Sequence, residues 1–126
     1  MIMGVGADLV PVGRMERLLA RRQESSLARL FTPAERERCE RAARPAESYA
    51  ARFAAKEAFF KALGTGWGRG GDWNQVEVIN LASGAPVIRL SGRAGLLARE
   101  KGVTHSHLSL THTRESAAAF VVLEQG

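Results

Sequence analysis

The chain has 126 residues, a length typical of one domain that buries a single core without a disulfide or a structural metal. Its 18 Lys and Arg against 13 Asp and Glu give a formal net charge of +5, which favours an anionic partner: nucleic acid, an acidic protein or a phosphorylated small molecule. A lone cysteine, Cys39, excludes an intrachain disulfide and suits a reducing, cytoplasmic location. Because no apolar run approaches ~20 residues and no charged leader precedes the first apolar residues, we expect a soluble, untargeted protein.

The apolar run from Ile2 to Val10 predicts a buried strand. Alternation places Gly4, Gly6 and Asp8 on one face of it. Glycine weakens a strand, so the two glycines indicate that another element approaches the backbone closely on the Asp8 side. Asp8 is then either a metal or catalytic ligand or, equally well, a helix N-cap.

A basic helix is predicted after Pro11 and Gly13. Its arginines gather on one side, with apolar residues beside them: Arg14, Met15, Arg17, Leu18, Arg21 and Arg22. A solvated arginine face is the ordinary interpretation of such a charge run. Four like charges without a matching acidic row repel one another, however, which favours docking of an acidic partner. A nucleic-acid-binding module that uses the helix from Arg14 to Arg22 is the alternative.

The segment from Phe31 to Ala43 predicts a helix with a clear start. Thr32 is the N-cap, Pro33 the first helical residue and Glu35 the third, which together make a capping box. Glu35 therefore has a structural role, and a catalytic role for it is the less favoured interpretation.

The alanine-rich stretch from Glu47 to Gly71 predicts a long helix that ends in glycines. Glu57 and Lys61, four residues apart, share one helical face, as either a surface ion pair or half of a ligand site. Gly64 is a plausible C-cap, and the loop after it either cradles phosphate through its N–H groups or is only a long turn.

The remaining segments predict two hairpins and one helix. Strands at 73–81 and 86–90 form the first hairpin, and strands at 107–113 and 117–124 form the second, with a helix from Ser91 to Gly102 between them. The element order predicts one α+β domain over residues 1–126, with helices packed on a mostly antiparallel sheet.

Two groups of residues are candidates for chemistry. Asp8 and Glu57 form a carboxylate pair suited to Mg²⁺, and Lys61 is placed to bind phosphate. His107 and His112 differ by an odd number and face opposite sides of a strand, which argues against a zinc site but leaves phosphate binding or general-base catalysis open to either.

Four segments together carry a family resemblance: GVGADLVPVGRM from Gly4, FTPAE from Phe31, RFAAKEAFFKALGTG from Arg52 and HLSLTHTRESAAAFVVLE from His107. Over nearly the whole chain, and in the same order, they resemble the holo-acyl-carrier-protein synthases, the small bacterial class of 4′-phosphopantetheinyl transferases. The resemblance implies that fold, and transfer of the 4′-phosphopantetheine arm of coenzyme A to a serine of apo-acyl carrier protein, with Mg²⁺ and release of 3′,5′-ADP.

The resemblance also implies residue roles. Asp8 and Glu57 match metal ligands, and Lys61 matches the lysine that contacts phosphate. The residues that match the coenzyme-binding positions are Lys61, Gly64, Thr65, Gly66, His107, Thr111 and His112. The basic helix matches the surface that docks the acidic carrier protein, and the family is typically a homotrimer with active sites between subunits; neither nucleic acid nor membrane is an expected partner.

Two points stay open at this stage. The base that deprotonates the serine is Glu35 through a water, Glu57 through a metal-bound water, or no dedicated group. Trp67 is unusually bulky for the glycine-rich loop, which leaves the contacts of that loop with the coenzyme unassigned.

Overall fold

The computed structural model describes residues 1–21, 23–66 and 68–126. The strands are β1 (Ile2–Pro11), β2 (Val76–Asn80), β3 (Pro86–Leu90), β4 (His105–His112) and β5 (Ser116–Glu124). The helices are α1 (Val12–Ala20), α2 (Glu24–Leu30), α3 (Pro33–Glu40), α4 (Pro45–Leu63) and α5 (Gly92–Glu100), and a short 3₁₀ turn spans Trp73–Gln75.

The strands form two antiparallel sheets. One contains β1, β5 and β4 in that order. Phe120 on the central strand, β5, pairs with Ala7 of β1 and with Ser109 of β4. The other is the β2–β3 hairpin, in which Val78 pairs with Ile88. This arrangement confirms the predicted α+β class and the predicted antiparallel pairing.

Helix α4 is the centre of the core. Its alanines and aromatics are buried almost along its whole length, because one side packs on the three-stranded sheet and the other sides meet α1, α3 and β2. The helix ends where Gly64 adopts a left-handed conformation with φ of 83°, as predicted for a C-cap. The amide of Gly64 donates to the Phe60 carbonyl, so the last turn closes normally.

Glycines on β1 set the contact between β1 and α4. A Cβ atom on Gly6 would overlap the carbonyl oxygen of Ala58 and lie 2.7 Å from the Ala62 nitrogen, and one on Gly4 would overlap the Ala62 carbonyl oxygen. The predicted close approach on the Asp8 side is therefore confirmed, and the approaching element is α4. A bulge between Ile2 and Gly4 turns Ile2 out of this face.

The prediction missed one helix and misplaced the start of one strand. Helix α2 was not predicted; its sequence, ESSLARL, gives only seven helical residues with two serines near the start. The strand predicted at 73–81 begins at Val76 in the structure, three residues later, because Trp73–Gln75 forms the 3₁₀ turn instead. By contrast, Thr32 and Glu35 form the predicted capping box at the start of α3.

The outer face of the three-stranded sheet exposes apolar side chains on β1 and β5, beside polar ones on β4. Val5 and Leu9 on β1 are each 66% exposed, and Phe120 in the middle of β5 is 51% exposed. Large apolar side chains gathered on one exposed surface are typical of an interface. Within the described ranges, no helix has both the length and the apolar character that crossing a bilayer requires.

Candidate active site

Asp8, Glu57 and Lys61 form a cluster where β1 meets α4, and we call these three residues the carboxylate cluster. The Lys61 ammonium donates to Asp8 Oδ1 at 2.8 Å and to the Ala7 carbonyl at 3.2 Å. Lys61 therefore forms its ion pair across the two elements, with Asp8, rather than with Glu57 four residues earlier on the same helix. The glycine contacts of β1 hold Asp8 beside α4, so backbone packing determines the distance between the two carboxylates.

Burial and charge act on Glu57 in the same direction. Burial raises the pKa of its carboxyl group most, and the negative charge of Asp8 raises it further; the side chain of Trp73 and the cations Lys61 and Arg14 oppose the rise. Two carboxylates that repel each other are a natural site for a divalent cation. No cluster of three or more His, Cys, Asp or Glu side chains suited to a metal occurs at residues 1–21, 23–66 or 68–126, but Mg²⁺ needs only one or two protein carboxylates when phosphate and water complete its shell.

Replacing Glu57 by glutamine is expected to raise the unfolding midpoint at neutral pH in the absence of divalent cations. The pKa of Glu57 is higher in the folded than in the unfolded protein, so its ionised form destabilises the fold above the folded pKa. The gain should disappear below about pH 4.5, where the carboxyl is protonated in both states. Thermal unfolding of both proteins between pH 4 and 8 measures the gain in the unfolding midpoint. An equal gain at every pH would contradict a raised pKa of Glu57 as its cause.

A cavity of about 520 Å³ lies between α1, α2 and the 3₁₀ turn, directly beside Glu57. We call it the α1 cavity; it is lined by Arg14, Met15, Arg17, Leu18, Arg21, Leu30, Phe53, Glu57 and Trp73. Its floor is apolar and its rim is basic, with the Arg14 guanidinium 5.6 Å from the centre of the Phe53 ring. Five of the six predicted partner-binding residues line this cavity, and Arg22 lies outside the described residues.

A second cavity, of about 780 Å³, opens on the other side of α4, and we call it the basic cavity. Its lining contains four arginines and one carboxylate among its polar residues, which are Arg38, Arg41, Arg44, Glu47, Ser48, Arg52, Asn80 and His112. Arg52 is 6% exposed and donates to Ser48 and Asn80, while its Nε is buried with no hydrogen-bond partner in the described part of the chain. A buried, partly unpaired guanidinium in a cavity rich in cations is suited to an anion such as phosphate.

The arginines of the basic cavity were not predicted as site residues. Arg38, Arg41 and Arg44 follow one another at intervals of three, a spacing that gathers side chains on one side of a helical segment. This regularity was the signal available in the sequence. Arg52 and His112 join them only through tertiary packing.

The structure confirms the favoured structural interpretation of Glu35 and contradicts the less favoured catalytic one. Glu35 is 1% exposed, and both of its carboxylate oxygens are occupied by the Lys56 ammonium, at 2.8 and 2.9 Å. The backbone amides of Thr32 and Val78 also donate to it. A carboxylate that accepts four hydrogen bonds from three donors and is almost completely buried cannot reach a substrate, so its function is structural.

The predicted coenzyme-binding residues do not all meet at one place. His112 lines the basic cavity, with its Nδ1 3.1 Å from Glu47 Oε1. His107 lies five residues away, about 17 Å along β4, and its Nε2 is 2.9 Å from Glu124 Oε1. Thr111 is exposed and faces away from His112 in the strand alternation.

The glycine-rich loop starts one turn beyond Lys61. Gly64 and Gly66 have φ of 83° and 69°, and the Thr65 hydroxyl donates to the Gly66 carbonyl at 3.2 Å. None of these three residues lines either cavity. Trp67, whose bulk set this loop apart in the sequence, lies outside the described residues.

Comparisons with known proteins agree on one family. A family model described as the 4′-phosphopantetheinyl transferase superfamily matches residues 4–121. A holo-[acyl-carrier-protein] synthase of Desulforudis audaxviator is 51% identical over 123 residues, which covers 97% of this chain and 92% of the relative. The corresponding protein of Syntrophus aciditrophicus is 46% identical over 124 residues, covering 98% and 97%.

Solved structures give the same result. The holo-[acyl-carrier-protein] synthase of Neisseria meningitidis superposes with a TM-score of 0.90 at 33% identity, covering 99% of this chain and 100% of that one. The Bacillus anthracis synthase, solved in complex with CoA (3′,5′-ADP), superposes with a TM-score of 0.81 at 35% identity, covering 100% and 99%. These comparisons give no support to the alternative of a nucleic-acid-binding module. The chain belongs to the 4′-phosphopantetheinyl transferase superfamily and, within it, to the holo-[acyl-carrier-protein] synthases.

Proposed function

We propose that this chain transfers the 4′-phosphopantetheine group of coenzyme A to a serine of an apo-acyl carrier protein, giving the holo protein and 3′,5′-ADP. The observation that carries the proposal is the carboxylate cluster, held by backbone packing beside a cavity with a basic rim, in a chain of this family. Transfer from a pyrophosphate needs charge neutralisation and positioning more than covalent chemistry by the protein.

The direct test is an assay with coenzyme A, Mg²⁺ and an apo-acyl carrier protein, followed by intact-mass measurement of the carrier. The carrier is expected to gain the mass of one phosphopantetheine arm. A carrier whose acceptor serine is replaced by alanine should gain nothing. No mass gain on any of several bacterial carrier proteins would contradict the proposal.

The reaction forms one bond and breaks another. The serine hydroxyl oxygen attacks the phosphorus that carries the pantetheine arm, and the bond from this phosphorus to the bridging oxygen breaks, so that 3′,5′-ADP leaves and the serine proton is released. Lys61 is 56% exposed at its side chain and is placed to offset phosphate charge. With Glu35 excluded by burial, Glu57 is the remaining carboxylate candidate for the base, and a reaction without a dedicated base stays open.

Mg²⁺ is part of the proposal, and Asp8 and Glu57 are the residues that would hold it. Their fit rests on the donor chemistry: two carboxylates from different elements, where burial and then the charge of Asp8 raise the pKa of Glu57. When bound, the ion would neutralise charge on the pyrophosphate. Asp8 would have to share its carboxylate between the ion and the Lys61 ammonium.

The α1 cavity is the proposed docking site for the carrier protein, with its apolar floor taking an apolar side chain and its basic rim taking acidic ones. Replacing the exposed Arg17 by glutamate is therefore expected to raise KM for the carrier protein about tenfold, equivalent to ~1.4 kcal/mol of binding, and to leave KM for coenzyme A unchanged. Steady-state kinetics at two salt concentrations measures both constants. The matched control is Arg99→Glu, at an exposed site on α5; an equal effect of the two variants would argue against docking at α1.

One protomer does not bring the two anion-binding regions together. Ser48, at the basic cavity, and Glu57 are nine residues apart on α4, which places them about 180° apart around the helix. The helix itself therefore stands between the basic cavity and the carboxylate cluster. We infer that a bound coenzyme uses the carboxylate cluster of one copy and the basic cavity of a neighbour, in a homotrimer built on the exposed apolar face of the three-stranded sheet.

Replacing Phe120 by glutamate is expected to convert the assembly to monomers and to reduce transferase activity by at least tenfold, since a charge in an apolar interface is costly. Size-exclusion chromatography with light scattering measures the mass. The matched control is Leu96→Glu on α5, because Leu96 is 50% exposed and Phe120 51%. A trimeric Phe120 variant, or a wild-type protein that is monomeric and active, would refute the shared site.

Mixed assemblies test the sharing itself. Asp8→Asn and Arg44→Ala each damage a different half of the proposed site. If the halves come from neighbouring copies, unfolding and refolding the two variants together should restore part of the activity, because some sites then combine two intact halves. No recovery in verified mixed assemblies would place the whole site within one protomer.

The proposed location is the cytoplasm. Cys39 is a buried free thiol whose pKa is raised by burial, as expected for a structural cysteine in a reducing compartment.

A further inference from the structure

Lys56 precedes Glu57 on α4 and is completely buried. Its ammonium donates to four oxygens: both carboxylate oxygens of Glu35, the Val76 carbonyl at 2.7 Å and the Trp73 carbonyl at 3.1 Å. The Trp73 carbonyl belongs to the first residue of the 3₁₀ turn, and the Val76 carbonyl belongs to the residue just after its last. The ammonium therefore ties this turn to α4 and, through Glu35, to α3.

Charge pairing alone does not account for a lysine at this position. Burial lowers the pKa of the Lys56 ammonium, and the Glu35 carboxylate opposes that change. Buried ion pairs are weak evidence of stability, because well-packed apolar side chains of similar volume often replace them at no loss. An apolar side chain could not, however, hold the Trp73 and Val76 carbonyls in place.

Trp73 is the residue that this network places. Its indole packs against Phe53, with ring centres 6.0 Å apart, and forms one wall of the α1 cavity. The same side chain opposes the rise in the pKa of the Glu57 carboxyl group that burial and Asp8 cause. The neighbouring Asn74 donates to the Ala28 carbonyl at 3.1 Å, which also fastens the turn to α2 on the far side of the cavity.

We propose that Lys56 is a positioning residue for carrier-protein binding. It holds the 3₁₀ turn so that the Trp73 ring forms the wall of the α1 cavity beside Glu57. The proposal rests on the proposed function, in which that cavity receives the carrier protein. Lys56 itself touches no substrate, because it has no exposed surface.

The first test follows Trp73 without any enzymatic assay. Trp67 is the other tryptophan of the chain, so Trp67→Phe leaves Trp73 as the single fluorescent reporter. In that background, Lys56→Met is combined with Glu35→Gln, which removes both charges and retains an acceptor for the capping box. Quenching of Trp73 emission by acrylamide is expected to increase at least twofold in the folded variant; unchanged quenching would overturn the proposal.

The second test separates positioning from general damage. A merely less stable protein contains fewer active molecules, which lowers the apparent kcat and leaves both KM values unchanged. Loss of the cavity wall should instead raise KM for the carrier protein about tenfold while KM for coenzyme A stays constant. A parallel change in both KM values, or a change in kcat alone, would overturn the proposal.

Trp73 variants keep the proposal testable if the Lys56 and Glu35 variant does not fold. Trp73→Ala removes the wall and should raise KM for the carrier protein as above, whereas Trp73→Phe keeps an aromatic ring and should restore most of the affinity. Wild-type KM in Trp73→Ala would refute the role given to the wall. If the parent protein modifies no carrier protein, the proposed function fails, and the quenching result still decides whether Lys56 positions Trp73.

Discussion

Asp8→Asn is expected to lower kcat by a hundredfold or more with little change in fold. The substitution keeps the shape of the side chain and removes the charge that pairs with Lys61 at 2.8 Å. It also leaves Glu57 as the single carboxylate of the cluster. Removing one preorganised group that stabilises developing charge typically costs about 10²- to 10³-fold in kcat. Single-turnover transfer to an apo-acyl carrier protein at saturating coenzyme A measures the effect.

A second measurement tests Mg²⁺ binding by Asp8 and Glu57 independently of kcat. If Asp8 and Glu57 hold Mg²⁺, millimolar Mg²⁺ should raise the unfolding midpoint of the wild-type protein and not that of Asp8→Asn, because a ligand stabilises only the state that binds it. The matched control is Glu100→Gln, which removes an exposed carboxylate at the end of α5. An equal Mg²⁺ shift in all three proteins would count against the metal site, and wild-type kcat in Asp8→Asn would count against the cluster as a whole.

Gly6→Ala is expected to destabilise the protein by about 3 kcal/mol or more and to lower its unfolding midpoint by roughly 10 °C. The added Cβ would overlap the Ala58 carbonyl oxygen and lie 2.7 Å from the Ala62 nitrogen. Backbone atoms of a buried helix cannot move aside as the end of a flexible side chain can, so β1 and α4 must separate. Because Asp8 and Glu57 lie on these two elements, activity should fall further than the loss of folded protein explains.

The control for this substitution is Gly95→Ala in α5. There a Cβ would meet Leu90 Cβ at an ordinary contact distance of 3.5 Å, and alanine favours a helix over glycine by up to about 1 kcal/mol. We therefore expect unchanged or slightly increased stability. Chemical unfolding of both variants gives the two free energies, and similar stability of Gly6→Ala and the parent would mean that the strand and helix have room between them.

Local signals in the sequence predicted much of the fold. Thr32, Pro33 and Glu35 specify the start of α3 through neighbours only three residues apart, and Gly64 ends α4 by its own backbone freedom. The glycines of β1 predicted a close approach. The 3₁₀ turn was missed although it carries a local signal of the same kind, since the Asp72 amide donates to the Gln75 side chain three residues later. Its attachment to Lys56, 17 positions before Trp73, is the part that required the tertiary structure.

The residues of the candidate site likewise divide into those predicted from the sequence and those that only tertiary packing brings together. Asp8, Glu57 and Lys61 were predicted together because each is distinctive in its own segment, although the pairing of Lys61 with Asp8 required the tertiary contact. The basic cavity was missed because Arg38 on α3, Arg52 on α4 and His112 on β4 meet only through tertiary packing. A catalytic role for Glu35 stayed open beside the favoured structural one, since an acid at a capping box and an acid at an active site look alike until burial is known.

The glycine contact between β1 and α4 has a consequence for how partner choice can change. It ties the carboxylates to the buried centre of the molecule, while the basic rim of the α1 cavity lies on α1 and its C-cap, a short helix that follows β1 in the chain. Exchange of that helix between relatives should therefore transfer preference for one carrier protein over another while the reacting groups keep their spacing. Recognition through α1 can in that sense vary while the chemistry on β1 and α4 stays as it is.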